Sequence, residues 1–152
     1  MKRLIVSLFV FTAVSFAQTD VSGTISSNTT WAVSGSPYTI TANTVIMDGV
    51  TLTIDAGVTV LFSQDVYLRA LSGATLIAQG TETDSIYFTV TDTNTVNNTE
   101  GIKFDAGSTG TTTNDDTTYV SGSYFDYCVF KYNLYKDYYS FYYKHTLPVT
   151  RY

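Results

Sequence analysis

The chain has 152 residues, with 8 Lys and Arg against 13 Asp and Glu, a formal net charge of −5, and enough length for one domain with a hydrophobic core. This acidic balance, with the basic residues scattered, argues against a phosphate-backbone ligand, so nucleic acid is not an expected partner. A single cysteine, Cys128, rules out an internal disulfide, and packing must hold the fold.

At the start, Met1-Lys2-Arg3 is a positive segment, residues 4–14 are apolar except Ser7 and Thr12, and Ser15-Phe16-Ala17 is a small-x-small cleavage signal before Gln18. Residues 1–17 therefore read as a secretory signal peptide. A membrane anchor needs about 18–20 consecutive apolar residues, and this stretch is shorter. No later segment is apolar enough to span a membrane. Removing Lys2 and Arg3 with the leader takes the formal charge to 6 − 13 = −7. The expected location is secreted, extracellular or on the cell surface, with the periplasm included.

Residues 18–37 read as a capping segment, with Val21, Ile25 and Trp31 as apolar points and a turn cluster at Ser34-Gly35-Ser36-Pro37. Tyr38-Thr39-Ile40-Thr41 and Thr44-Val45-Ile46-Met47 then read as two brief strands separated by Ala42-Asn43, followed by the turn signal Asp48-Gly49. Over residues 50–62, Leu52 and Ile54 alternate with Thr51 and Thr53. Val58, Val60 and Phe62 alternate with Thr59 and Leu61. Period two on both sides of Asp55-Ala56-Gly57 predicts two strands joined by a turn. The same design returns over residues 73–88.

No run over residues 21–130 has helical apolar spacing, and β-branched and aromatic residues fill the ordered pieces. The fold class is all-β. Val60 and Ile86 are 86 − 60 = 26 residues apart, Ile102 and Cys128 are 128 − 102 = 26 apart, and Leu52 and Leu76 are 76 − 52 = 24 apart. A period in the twenties with short strands and Gly or Asx turns predicts a solenoid, with coils over residues 38–132. Inward side chains of successive coils would then stack, Phe62 with Phe88 and Phe104 with Phe130.

Residues 91–100 and 106–118 are polar and predict loops around the short strand Gly101-Ile102-Lys103-Phe104-Asp105. Residues 124–132 predict the last coil strand. Residues 133–152 lack the Gly and Thr turns and carry Tyr135, Tyr138, Tyr139, Phe141, Tyr142 and Tyr143. This tail reads as an irregular Tyr-rich segment, either a cap or the product of a truncation.

Trp31, Ser36-Pro37-Tyr38-Thr39-Ile40, the stretch from Gly49 to Phe62, Gly73-Ala74-Thr75-Leu76-Ile77-Ala78-Gln79-Gly80-Thr81 and Ile86-Tyr87-Phe88-Thr89 resemble the N-terminal coils of secreted bacterial right-handed parallel β-helix repeat proteins. The resemblance covers residues 31–130. It departs at Asp55-Ala56, where the family has Glu-Pro, and at Ser85, where it has Pro. Family members are longer, often with a C-terminal export or attachment domain, so the resemblance implies a right-handed parallel β-helix and a truncated member.

Parallel β-helices include polysaccharide lyases and glycosidases, which makes carboxylate pairs the first chemistry to seek. Asp115-Asp116 is the one adjacent pair, and it reads as a solvated polar turn. Arg69, the one mid-chain Arg, has Asp65 nearby but no further partner, and reads as a strand residue with its stem on the coil wall. His145 has no Cys or His at metal spacing. Cys128 reads as a small buried strand residue. Gly57, Gly73 and Gly80 read as turn glycines. Asn28-Thr29-Thr30 and Asn97-Asn98-Thr99 fit a glycosylation triplet, expected to be unmodified.

The sequence therefore assigns no catalytic, cofactor-binding or metal residue and no cofactor. Its leading expectation is a non-enzymatic secreted or cell-surface β-helix scaffold for adhesion or carbohydrate contact, with extracellular polysaccharide or surface proteins as partners. The alternative is the N-terminal part of a β-helix polysaccharide lyase or glycosidase whose catalytic coils lie elsewhere.

Overall fold

A computed structural model describes residues 18–94, 100–114 and 119–132. The chain winds as a right-handed parallel β-helix. The first coil holds β1 (Thr19–Ile25) and β2 (Thr29–Trp31), and a short 3-10 turn (Val33–Gly35) leads to the second, β3 (Tyr38–Ile46) and β4 (Thr51–Ile54). The third holds β5 (Thr59–Phe62), β6 (Tyr67–Ala70) and β7 (Thr75–Gln79). The fourth runs through β8 (Ile86–Val90) and β9 (Gly101–Phe104), then through β10 (Thr112–Thr113) and β11 (Tyr119–Ser121), to β12 (Tyr124–Asp126). β13 (Cys128–Phe130) opens a fifth.

Successive coils stack in three parallel ladders, which form the faces of the helix. On face one, β2, β4, β7 and β12 pair in that order. Face two runs from the first half of β1 through the first half of β3 to β5, β8 and β13. Face three runs from the second halves of β1 and β3 to β6 and β9. The segment 18–37 thus carries β1 and β2, both in register with the coil above.

The two brief strands expected around Ala42-Asn43 are one strand, β3, whose exposed residues Thr41, Ala42 and Asn43 turn a corner between faces two and three. Conversely, residues 124–132 are two strands on different faces. Tyr127, at φ 46°, makes the corner between them. The 106–118 stretch is not wholly loop, because Thr112–Thr113 pairs antiparallel with Tyr119–Ser121.

Period-two patterning sends Leu52, Ile54, Val60, Phe62, Leu68 and Leu76 into the core, all fully buried, each burial worth about 1.5–3 kcal/mol. Ordering the backbone costs about 1–2 kcal/mol per residue, so one coil gains too little alone and stacking is needed. Thr and other β-branched residues fill the half-exposed positions between, where their restricted χ1 suits a pleated surface. One corner design recurs between faces three and one. Met47–Val50, Leu71–Ala74 and Asp105–Ser108 each close an i to i+3 backbone bond, and Gly49, Gly73 and Gly107 sit third in each with φ of 71°, 76° and 86°. A positive φ there is what Gly allows without a Cβ clash.

The expected aromatic partners are corrected by the register. Phe62 lies between Ile40 and Val90, and Phe88 lies over Val60. Phe104 lies over Ala70 on face three, whereas Phe130 belongs to face two and lies over Phe88. The spacing from Val60 to its true partner is 88 − 60 = 28 residues. Ile102 and Cys128, equally spaced in sequence, sit on different faces because the turns differ in length. Leu52 and Leu76 do stack.

Candidate functional site

With the core filled, chemistry is left to the outward side chains and the corners. Face three carries the strand-borne cations. Arg69 on β6 and Lys103 on β9 are partners in adjacent coils, and like charges one coil apart repel unless neutralised. Each is neutralised. Arg69 donates from Nε and Nη2 to the two carboxylate oxygens of Asp105 at 2.6 and 3.1 Å, and Lys103 donates to Glu100 at 2.5 Å. Lys103 Nζ also lies 4.9 Å from the Tyr67 ring centroid, within cation–π range.

Arg69 thus pairs with Asp105, not with Asp65, its neighbour in sequence. Asp65 is exposed and occupies the turn between β5 and β6 with φ 56°. The Asp105 hydrogen bond holds the Arg69 guanidinium above its ordinary range, against a smaller opposing effect of burial. The cluster of Tyr67, Arg69, Glu100, Lys103 and Asp105 is invisible as a sequence motif, since 105 − 69 = 36 residues separate its main pair. Coil stacking alone brings it together.

At the top of face one, a buried polar group surrounds β12. Tyr124 donates its hydroxyl to Asp126 at 3.0 Å, and Tyr119 of β11 stacks on Tyr124 with centroids 4.5 Å apart. Burial raises the Tyr119 phenol above its usual value. Cys128 lies fully buried beside this group, its Sγ 3.4 Å from the Asp126 carbonyl and 3.5 Å from that of Ala78. Burial pushes its thiol up to about 12, which removes thiolate character at neutral pH and with it nucleophilicity.

Face two presents an uncharged lane. Outward Thr59 and Leu61 on β5 face Tyr87 and Thr89 on β8 in register. Tyr87 is 40% exposed, and Lys131 Nζ stands 5.7 Å from its ring centroid. Among the described residues, no three His, Cys, Asp or Glu side chains converge as metal ligands.

Gly57 and Gly73 are turn residues at positive φ. Gly80, at ordinary φ, is pressed against the Tyr127 carbonyl. Asn28 accepts the Thr51 N–H at 2.9 Å, a coil-to-coil bond in keeping with a structural role. Residues 1–17, read from the sequence as a signal peptide, and Asn97-Asn98-Thr99, Asp115-Asp116 and residues 133–152 with His145 lie outside the described residues.

Three stacked parallel ladders around one apolar core find their counterpart in a family model described as a pectate-lyase like beta helix domain, which matches residues 23–124. The chain belongs to this family. No curated protein and no solved structure matches it. The pectate-lyase-like match begins within β1 and ends at the first residue of β12, so it takes in both the face-three cluster and the Tyr87 lane.

Proposed function

We propose that this pectate-lyase-like β-helix is a non-catalytic scaffold, exported by the signal in residues 1–17, that contacts extracellular carbohydrate through an outward sheet face and so serves adhesion. The observation that carries the reading is Tyr87, a half-exposed ring on a central strand of the face-two ladder. The strand that carries it is held by backbone pairing on both sides, and a Tyr side chain has only two χ angles to order when a ligand stacks on it. The state of the reactive side chains also supports a binding role. Arg69 and Lys103 are each engaged by a carboxylate, and the Cys128 thiol is buried and protonated.

The family description favours one competitor, a coil segment of a polysaccharide lyase or glycosidase. Incubating the full chain with a panel of plant and bacterial polysaccharides separates the two. Retention of the protein on at least one glycan, with no new reducing ends or unsaturated products, is the expected result. Turnover would establish the competitor instead.

A further inference from the structure

We infer that the face-two lane of β5 and β8 takes a neutral, hydroxyl-rich polysaccharide, not a polyuronate; this rests on the carbohydrate-contact reading above and narrows its ligand. The lane itself is uncharged, with Thr59 and Thr89 beside Tyr87. Its two borders are acidic. Asp55 and Asp84 stand exposed at the corner from face one, stacked closely enough that Gly57 N–H donates to the Asp84 carbonyl at 3.0 Å. Asp65 stands exposed at the corner towards face three.

Carboxylates on both sides repel a chain that carries a charge on every sugar, and the whole protein, at net charge −5, adds to that field. The same carboxylates accept hydrogen bonds from sugar hydroxyls, and bonds to an ionised acceptor are stronger than neutral ones. Threonine hydroxyls both donate and accept. A neutral glycan thus finds an apolar ring, hydroxyls and charged acceptors on one rigid surface, while a polyuronate finds repulsion. Lys131 Nζ, 5.7 Å from the Tyr87 ring centroid, sets one positive charge against the three border carboxylates.

Affinity electrophoresis of the full chain, in gels containing mixed-linkage glucan, glucomannan, arabinoxylan or polygalacturonate, tests this. The expected result is retardation by at least one of the neutral glycans, weakened about tenfold, or about 1.4 kcal/mol, by Tyr87→Ala. Met47→Ala, at a distant corner and 39% exposed, is the matched control and leaves retardation unchanged. Retardation by polygalacturonate alone overturns the neutral-ligand inference and leaves carbohydrate contact standing. Neutral-glycan retardation that Tyr87→Ala does not weaken overturns the assignment to this face. No retardation in any of the four gels overturns both readings.

Discussion

Phe88 and Phe130 stack face to face one coil apart, with centroids 4.7 Å apart and planes within 5° of parallel. The separation is close to the spacing of adjacent strands, so ring stacking and backbone pairing are satisfied together. Phe125 meets both rings edge-on, at 6.1 and 5.5 Å. This aromatic layer spans the fourth coil and the start of the fifth.

Removing Phe130 should therefore destabilise the upper coils strongly. Phe130→Ala is expected to cost about 3–5 kcal/mol, and Phe130→Leu markedly less, because Leu refills most of the volume. Urea unfolding followed by circular dichroism measures both. A loss under about 1 kcal/mol for the alanine variant would show that the layer is not a packed core.

Small residues beneath the layer are as necessary as the large ones in it. Ala78 is fully buried, with Phe125 directly over it and Ile54 below. Ala78→Leu should overpack this column and cost about 1–3 kcal/mol. The neighbouring outward Ile77→Leu should cost under about 1.5 kcal/mol, since it conserves volume. Equal midpoints for the two variants in thermal unfolding would contradict the inward and outward assignment.

Backbone closeness makes a second steric prediction. A Cβ at Gly80 would lie 2.7 Å from the Tyr127 carbonyl oxygen and 3.1 Å from that of Asp84, while one at Gly110 meets nothing within 4 Å. Gly80→Ala must push coils apart and should cost about 1–3 kcal/mol, whereas Gly110→Ala should stay within about 0.5 kcal/mol of the parent. Chemical denaturation of the pair distinguishes a crowded corner from an open loop.

The Arg69–Asp105 pair should contribute little despite its two-pronged geometry. Its side chains are 43% and 27% exposed, and exposed pairs typically couple by about 0.2–1 kcal/mol. A double-mutant cycle with Arg69→Gln and Asp105→Asn should give a value in that range that shrinks in 1 M salt, where the Debye length is about 3 Å. A salt-independent coupling of several kcal/mol would mark a desolvated pair instead.

Cys128 predicts a pH dependence of stability. An ordinary thiol ionises near about 8.5, and burial moves this one to about 12. Between these values the unfolded chain has released the proton and the folded chain retains it, so stability falls as pH rises. The contribution is complete below about pH 8.5 and declines by up to about 1.4 kcal/mol per pH unit above it. Relative to Cys128→Ala, the parent should lose stability between pH 8 and 10, and its native thiol should resist alkylation that modifies the unfolded chain rapidly. A flat difference across that range would contradict the burial.

Sequence alone determined the strand alternation, the Gly corners and the coil architecture, because period two and turn chemistry are local properties of Leu52, Ile54, Val60 and Gly57. It also placed Cys128 in the core, since its neighbours Val129 and Phe130 are core types. Only the tertiary structure decided which residues are neighbours between coils. Turn lengths vary, so equal sequence spacing does not mean equal position, and Phe130 finds Phe88 while Phe104 finds Ala70. The same register carries Arg69 to Asp105 and sets Tyr87 outward between Thr59 and Val129. Side chains two apart on a strand share a face by backbone geometry, whereas those a coil apart meet only once the ladder hydrogen bonds have fixed the stack.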